Sequence, residues 1–269
     1  MILELLEYFT TPCPKYARKL GYLKEAIAIG ARQKRLAGAW APHLDQSQTL
    51  IREAMDQCGR RRTALVLGSG LLLDIPLAEL SRQFEHVILA DVVHLRAARR
   101  QAAAFANVTL AAEDVTGMAA DFDFRVSSGW QGDPVPDPTV FLDQPGIDLV
   151  VSANVLAQLP IFPAAALQRR TRLDGEPLED FCRAVIAAHL AYLRRFDAVV
   201  CLITETERAA LDKDGVVIQR QDALYGTELP GRGTQWNWDL APLGEVSRTH
   251  AMRNRVVGFR DIFTRQAPV

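Results

Sequence analysis

Two glycines that follow a run of apolar residues form the most informative pattern in the sequence. Residues 64–67 are uniformly apolar, and Gly-Ser-Gly follows at 68–70. The apolar run predicts a buried strand, while Asp74 and Pro76 predict the start of a helix shortly afterwards. A glycine turn between a strand and a helix lets backbone approach a ligand closely. The pattern therefore predicts a turn that contacts a nucleotide-type cofactor.

A carboxylate stands at the end of the next apolar run. Residues 86–90 lead to Asp91, which lies 21 positions after Gly70. An acid at the carboxyl end of a second strand is placed to accept hydrogen bonds from both hydroxyls of a ribose. Asp91 would also suit the N-terminus of the following helix, but the neighbouring glycine turn favours the ribose role.

The first loop separates two classes of cofactor. A dinucleotide fingerprint places glycine at the sixth position of the turn, where the helix, the strand and a pyrophosphate crowd together. Counted from Gly68, that position is Leu73. S-adenosylmethionine (SAM) has no pyrophosphate and does not require so close an approach by the helix. The loop therefore favours SAM over a nicotinamide dinucleotide.

Composition narrows the class of protein. The chain has 269 residues, 49% of them hydrophobic, and a formal net charge of −1, which gives no overall attraction to nucleic acid or membrane. Its four cysteines show no C-x-x-C spacing, so we expect neither a metal site nor a disulfide scaffold. With no basic leader at the N-terminus and no apolar run of membrane-spanning length, we expect a soluble cytoplasmic protein.

The elements that would position these residues follow a regular order. Residues 1–58 predict a helical N-terminal extension, whose basic residues keep RNA open as a partner. From residue 59 onward, strands at 63–68, 86–91, 107–112, 147–152 and 198–204 alternate with helices, which predicts a parallel sheet covered on both faces. Two segments, about 118–146 and 160–176, interrupt the alternation as insertions. Three further strands near residues 215–220, 235–240 and 255–260 predict an antiparallel end to the sheet.

This order of parts resembles the class I SAM-dependent methyltransferases over about residues 60–262. The matching segments are Leu-Gly-Ser-Gly at 67–70, Asp91, Glu-Asp-Val at 113–115, the segment 148–156 and the C-terminal strands. The resemblance implies a Rossmann-like α/β fold, with a seven-stranded, mostly parallel sheet and SAM across the carboxyl ends of its first half. Two features depart from the family: Leu65 and Leu67 occupy the strand end where an acid is usual, and Ala157 and Gln158 stand where a histidine is common.

Carried over by position, the resemblance implies a set of cofactor-binding residues. Gly68, Ser69 and Gly70 would wrap the methionine part of SAM, and Asp91 with Val92 would hold the ribose. Asp114 and Val115 would meet the adenine. Ser152 and Asn154 would lie beneath the sulfonium. Asp114 would equally suit a tight turn, because Asp-Val-Thr-Gly is a good turn sequence.

The predicted activity is methyl transfer from SAM to an acceptor that is more readily a small molecule than nucleic acid. Glu205, Glu207 and Tyr225 are candidate proton acceptors that the sequence does not rank. Two other functions stay open. One is a non-catalytic SAM-binding or assembly module on the same fold, and the other is an NAD(P)-dependent oxidoreductase, which Leu73 and the lack of a Tyr-x-x-x-Lys pair disfavour.

Overall fold

The computed structural model describes residues 2–264 of the chain. Its first part is helical, as expected, with α1 at Ile2–Thr10, α2 at Lys15–Leu20 and α3 at Tyr22–Gln57. The division of the chain at residue 58 stays a prediction, and its outer limits, residues 1 and 269, lie outside the described residues.

The strands and remaining helices alternate as predicted. The strands are β1 (Thr63–Leu67), β2 (His86–Asp91), β3 (Val108–Ala112), β4 (Ile147–Ala153), β5 (Val199–Leu211), β6 (Val217–Asp222), β7 (Thr234–Ala241) and β8 (Ala251–Phe259). The helices are α4 (Leu77–Gln83), α5 (Arg96–Ala102), α6 (Phe122–Ser127), α7 (Ile161–Thr171) and α8 (Glu176–Leu193), with a short 3₁₀ turn at Leu156–Gln158.

The strands form one sheet in the order β3-β2-β1-β4-β5-β8-β7. The first five of these strands are parallel, β8 is antiparallel to β5, and β7 is antiparallel to β8, so β8 alone runs against the other six. This is the Rossmann-like, mostly parallel sheet that the class I methyltransferase resemblance implied. Within the described residues the sheet has eight strands rather than seven, because β5 continues past β4 and pairs with β6.

Both faces of the sheet are buried, which explains why the central strands are apolar at every position. In β1 the side chains of Leu65 and Leu67 face one core cluster, which includes residues of α8 such as Val185 and Ile186. Ala64 and Val66 face the opposite cluster, which includes Leu50, Ile51, Ala54 and Met55 of α3. The C-terminal half of α3 is therefore part of the main core.

The long helix α3 is interrupted near its middle. Leu36 departs from helical geometry, with φ −111° and ψ 20°. Pro42 lies in the same helix, and a proline removes one N–H donor and clashes with the carbonyl four residues earlier, here that of Gly38. The break separates the half that packs into the core from the N-terminal half, which lies over the carboxyl ends of the strands.

The two insertions differ in what they cover. The segment 118–146 contains α6 and packs over the α8 face, where the Tyr192 hydroxyl donates to the carbonyl of Val140 at 2.7 Å. The segment 160–176 is largely the helix α7, whose residue Phe162 packs its ring against Tyr22 at 4.7 Å between centroids. Both insertions pack into the core cluster on the α8 face of the sheet, and they contact each other, since Arg170 of α7 pairs with Asp123 of α6 at 2.5 Å.

Candidate functional site

A cavity opens at the carboxyl ends of the strands, where β1 and β4 lie side by side. The chain leaves β1 toward β2 on one side and later enters β4 on the other, so this is the switch point at which parallel α/β sheets bind ligands. The cavity volume is about 220 Å³, roughly fifteen times the room one water needs. Loops after β1, β2, β3 and β4 form its floor, and α3, α7 and β7 complete its walls.

The two glycines of the first loop have different reasons to be glycine. Both have positive φ, +75° at Gly68 and +50° at Gly70. A Cβ on Gly68 would lie 2.6 Å from Val155 Cβ and 2.9 Å from the carbonyl oxygen of Ala153, so close packing against the loop after β4 requires this glycine. A Cβ on Gly70 would have only the Gly68 carbonyl nearby, at 3.9 Å. Gly70 therefore leaves open space on the cavity side.

Ser69 and Asp91 place polar atoms at the cavity beside the glycine turn. The Ser69 hydroxyl is buried and has no hydrogen-bond partner among residues 2–264. The Asp91 carboxylate accepts from the N–H of Gly70 at 2.8 Å and from that of Val93 at 3.3 Å. Burial raises the pKa of Asp91, and the hydrogen bond from Gly70 opposes that rise. The buried hydroxyl and the carboxylate are groups that a ribose or an amino-acid part could satisfy.

The residues predicted to meet adenine lie in the cavity wall, but one of their side chains is already engaged. Val92, Asp114 and Val115 all line the cavity. The Asp114 carboxylate accepts from both the N–H and the hydroxyl of Thr116, and from the N–H groups of Met118 and Ala119. This carboxylate stabilises its own loop, and the Asp114 carbonyl also accepts from the N–H of Gly117 at 3.3 Å, so a ligand contact falls to the backbone of Val115. The adenine assignment stays a prediction.

Ser152 does not belong to the cavity wall. Alternation along β4 puts Ser152 on the same face as Val150, toward α8. There its hydroxyl is fully buried and lies 3.1 Å from Nε2 of His189. The placement of Ser152 does not support the predicted contact with a cofactor, because the strand period turns it toward the core.

Asn154, the residue after β4, does line the cavity and anchors a polar cluster there. Its backbone is in the left-handed region with φ +51°. Its Nδ2 donates to Oδ2 of Asp74 at 2.6 Å and lies 3.4 Å from Nε2 of His43. Burial raises the pKa of Asp74, and the hydrogen bond from Asn154 acts in the opposite direction.

The prediction that Asp74 marks the start of a helix is wrong. Helix α4 begins at Leu77, and Pro76 occupies its N-cap position without a side-chain cap. Asp74 lies before that position and turns its carboxylate toward Asn154 instead. The loop between Gly70 and α4 is consequently long, and the helix N-terminus does not reach the glycine turn.

The protonation of His43 follows from its neighbour Trp236. The indole Nε1–H of Trp236 lies 3.0 Å from Nδ1 of His43, and an indole nitrogen can only donate. His43 Nδ1 must therefore carry the lone pair. Burial lowers the pKa of His43 to about 4, so the neutral ring holds its proton on Nε2. The N–H of His43 consequently points toward Asn154 and the cavity.

Aromatic rings form the wall opposite the glycine turn. The His43 ring stacks on Trp238 at 4.1 Å between centroids and 6° between planes. Trp40 meets Trp238 edge to face at 5.2 Å, and Tyr22 and Phe162 lie farther along the cavity. Trp236 and Trp238 are two residues apart on β7 and both approach His43, and of the two Trp238 lines the cavity.

Several lining residues carry no sequence signal of their own. His43, Trp40 and Glu25 come from α3, far in sequence from the glycine turn, and nothing in a single sequence pairs them with it. Asp74 was within reach of sequence reasoning because it follows the turn directly. The candidate proton acceptors Glu205, Glu207 and Tyr225 are not among the lining residues.

The cavity has a marked charge bias. Among the described residues that line it, the charged side chains are all carboxylates, at Glu25, Asp74, Asp91, Glu113 and Asp114, with no lysine or arginine. Such a lining favours cationic or neutral ligands over carboxylates and phosphates. SAM, whose sulfonium and ammonium outnumber its carboxylate, matches this bias in charge.

Residues 2–264 contain no disulfide bond. The four cysteines are free thiols. No group of three or more His, Cys, Asp or Glu side chains in this range is arranged to hold a metal ion. In the same range, no helix combines the length and apolarity that crossing a membrane demands.

Comparison with known proteins gives no close relative. No protein-family model matches the chain, and neither does any curated protein. Among solved structures, the N-methyltransferase NodS from Bradyrhizobium japonicum WM9, with bound S-adenosyl-L-homocysteine, is similar at 13% identity over 78% of this chain and 85% of its own, with a TM-score of 0.36. A DhpI complex with SAH is similar at 15% identity over 86% and 93%, with a TM-score of 0.35.

A third similar structure is the 1,6-didemethyltoxoflavin-N1-methyltransferase of Burkholderia thailandensis, crystallised with 1,6-didemethyltoxoflavin and S-adenosylhomocysteine. It is 13% identical over 87% of this chain and 89% of its own, with a TM-score of 0.33. The fold itself rests on the strand order described above, in which a single reversed strand lies in a seven-strand path. By that order the chain has a class I methyltransferase-like fold.

Proposed function

We propose that this chain binds SAM in the cavity and transfers its methyl group to a small-molecule acceptor. The observation that carries the proposal is the position of the cavity at the switch point of the sheet, with the N–H of Gly70 and the carboxylate of Asp91 joined at its floor. An acid at the end of the second strand, beside a glycine turn, suits the two hydroxyls of a ribose.

The residues present fit the cofactor. The unpartnered hydroxyl of Ser69 and the open space beside Gly70 leave room and hydrogen-bonding capacity at the turn. The backbone of Val115 is available for an adenine edge, and Asn154 lies at the opposite end of the floor. When bound, SAM supplies an electrophilic methyl group on a sulfonium. The chain's own residues hold the ribose, exclude water with aromatic rings and orient the acceptor.

The loop argues against a nicotinamide dinucleotide. A dinucleotide site brings the N-terminus of a helix to the glycine turn, where its N–H groups meet the pyrophosphate. Here residues 71–76 separate the turn from α4, which begins only at Leu77. The carboxylate lining, without lysine or arginine, also disfavours a pyrophosphate.

The same lining supports a small-molecule acceptor. Nucleic-acid binding depends on lysine and arginine that neutralise phosphates, and the described residues around the cavity supply none. The basic residues of α2 and α3 lie on exposed or half-exposed helix faces, and several form ion pairs, such as Arg35 with Glu245 at 2.5 Å. The acceptor therefore enters between aromatic walls rather than along a basic groove.

Calorimetry and a transfer assay test the proposal in sequence. We expect titrations with SAM and S-adenosylhomocysteine (SAH) to show binding and a titration with NADH to show none. Binding of NADH without binding of SAM contradicts the proposal. Incubation with methyl-labelled SAM and a panel of amines, phenols and thiols then separates an enzyme from a SAM-binding module, because the module binds SAH and labels nothing.

A further inference from the structure

We propose that Asp74 is the counter-ion of an alkylammonium group bound in the cavity, next to Asn154 and the N–H of His43. The inference rests on the proposed function, since it assigns a role to one end of the same cavity. The ammonium belongs either to the amino-acid end of the cofactor or to an amine acceptor. Its chemistry is the same in both cases, and the experiment below separates the two sources.

The first observation concerns Asp74, a half-buried acid in the cavity wall. Asp74 lines the cavity, and no ion pair among the described residues includes it. Its Oδ2 is held by the Asn154 amide at 2.6 Å. A buried carboxylate without a positive partner is costly, and burial accordingly raises the pKa of Asp74. A bound cation would remove that cost.

The second observation concerns His43, which is 2% exposed and turned toward the cavity. Because Trp236 donates to Nδ1, the neutral ring presents Nε2–H, and the group nearest to that atom is another donor, the Asn154 amide at 3.4 Å. Among the described residues, this N–H has no hydrogen-bond acceptor. A buried donor and an uncompensated carboxylate side by side suit a ligand that carries both an ammonium and an oxygen, or an ammonium alone.

The remaining walls favour a cation as well. Aromatic faces attract cations, and Trp238 and Tyr22 line the same cavity. Other groups are poorly suited to the role. Burial raises the pKa of Tyr22, so its phenol stays neutral, and Asp114 is already held by four donor groups of its own loop. Asp74 is the acid at this end whose charge is unused.

If the ammonium is that of an acceptor amine, Asp74 also has a use in the reaction. The ammonium transfers one proton to the Asp74 carboxylate, which becomes a carboxylic acid. The freed nitrogen lone pair forms a bond to the methyl carbon, the carbon–sulfur bond breaks, and its electron pair stays on sulfur to give SAH. The product is a methylated ammonium.

The test compares two pairs of ligands, and in each pair only one member carries an ammonium group. Methylthioadenosine has the nucleoside and sulfur of SAH without the amino acid, and tryptamine and indole-3-acetate share one ring with opposite charges. Calorimetry measures SAH against methylthioadenosine, then tryptamine against indole-3-acetate with SAH bound. The variants are Asp74→Asn, which keeps the shape and removes the charge, and Asp45→Asn, an exposed acid two residues from His43 on α3, as the matched control.

We expect Asp74→Asn to weaken one ammonium ligand roughly 10-fold or more, without weakening the member of that pair that lacks the ammonium. The Asp45→Asn variant should bind all four ligands as the wild type does. A selective loss of SAH assigns the ammonium to the cofactor, and a selective loss of tryptamine assigns it to the acceptor. In either case the proposal stands.

Unchanged affinities in Asp74→Asn overturn the proposal. If the Asp74→Asn variant does not fold, the wild-type protein alone tests the proposal. Equal wild-type affinity for the two members of each ligand pair would also overturn it. A wild type that binds no adenosyl compound contradicts the proposed function. In that case the affinities of the protein for tryptamine and indole-3-acetate, measured without SAH, still test whether Asp74 binds an ammonium group.

Discussion

The carboxylate of Asp91 accepts a hydrogen bond from the backbone N–H of Gly70 at 2.8 Å, across 21 residues of sequence. This bond joins the loops that follow two neighbouring parallel strands, and it holds the glycine turn and the acid in one arrangement at the floor of the cavity. The same oxygens are those we propose to hold a ribose, so one side chain would both shape the site and contact the ligand.

Substitution of Asp91 tests that assignment. Asp91→Ala removes a charged hydrogen-bond acceptor, which contributes about 1.5–3 kcal/mol, so we expect the dissociation constant of SAH to rise roughly 10- to 150-fold. Isothermal titration measures the change. Glu85→Ala is the control, because Glu85 is exposed and precedes β2 at the opposite edge of the sheet. Equal SAH affinity in Asp91→Ala and Glu85→Ala would remove Asp91 from the site.

The two glycines of the turn should respond differently to alanine. In Gly68→Ala the new Cβ meets Val155 and the Ala153 carbonyl at 2.6 and 2.9 Å, and φ is positive, so we expect a loss of about 3 kcal/mol in the free energy of unfolding. Gly70→Ala meets no close atom and should lose only the left-handed strain, about 1 kcal/mol. Urea denaturation compares the two. Equal losses would show that the turn relaxes around either side chain.

Substitutions of Ser152 and Asn154, which are two residues apart, should have different effects. The first should change stability, and the second should change the affinity for SAH. Ser152→Ala removes the hydrogen bond to His189, so we expect a loss of about 1 kcal/mol in unfolding free energy and no change in SAH affinity. Asn154→Ala removes a cavity-lining amide and should weaken SAH binding. Paired denaturation and calorimetry provide the measurements. A weaker affinity for SAH in Ser152→Ala would restore the sequence-based assignment of that residue.

Stability should fall in acid partly because of His43. Burial lowers its pKa from 6.5 to about 4, so the unfolded chain binds a proton that the folded chain does not. The contribution is fully present above pH 6.5 and is lost as the pH falls toward 4, by roughly 3 kcal/mol. His43→Gln should flatten that part of the stability curve measured by denaturation at several pH values. His86→Gln, at an exposed position, should leave the slope as in the wild type.

The tautomer of His43 can be observed directly. Nitrogen-15 NMR of the imidazole should show a proton on Nε2 and a bare Nδ1 at neutral pH, because Trp236 donates to Nδ1 at 3.0 Å. Trp236→Phe removes the donor and should shift the Nδ1 resonance and cost about 1–3 kcal/mol for an unsatisfied buried acceptor. A wild-type spectrum with the proton on Nδ1 would contradict the deduced orientation of the ring.

The sheet was predictable because its signals are local. Uniformly apolar runs such as residues 64–67 and 199–203 are buried on both faces, and their alternation with helices predicts parallel strands. The strand pattern also predicted β6, as a strand near residues 215–220, whereas the resemblance implied only seven strands. All six residues of β6 are exposed, and its pairing depends on how far β5 extends. Strand length beyond the core is not fixed by an apolar pattern.

Site residues were predictable only where a residue of suitable chemistry lies at or just after the end of a strand. Gly70 and Asp91 follow strand ends, and the structure brings both to the cavity. Ser152 also follows the pattern by position, but side-chain alternation turns it toward His189. His43 lies over a hundred residues from Asn154, and only the tertiary fold brings them together. A single sequence has no local signal for such a pair.

Two parts of the chain that are distant in sequence form the cavity, and helix α3 supplies one of them. Strand-end loops supply the floor, whereas residues 22–44 supply a roof that is anchored by the second half of the same helix in the core. Exchange of side chains at Tyr22, Glu25 or Ile29 would reshape the roof without touching the turn at 68–70. If the proposed function holds, one short N-terminal stretch would set which acceptors fit, while the loops after β1 and β2 would hold the cofactor.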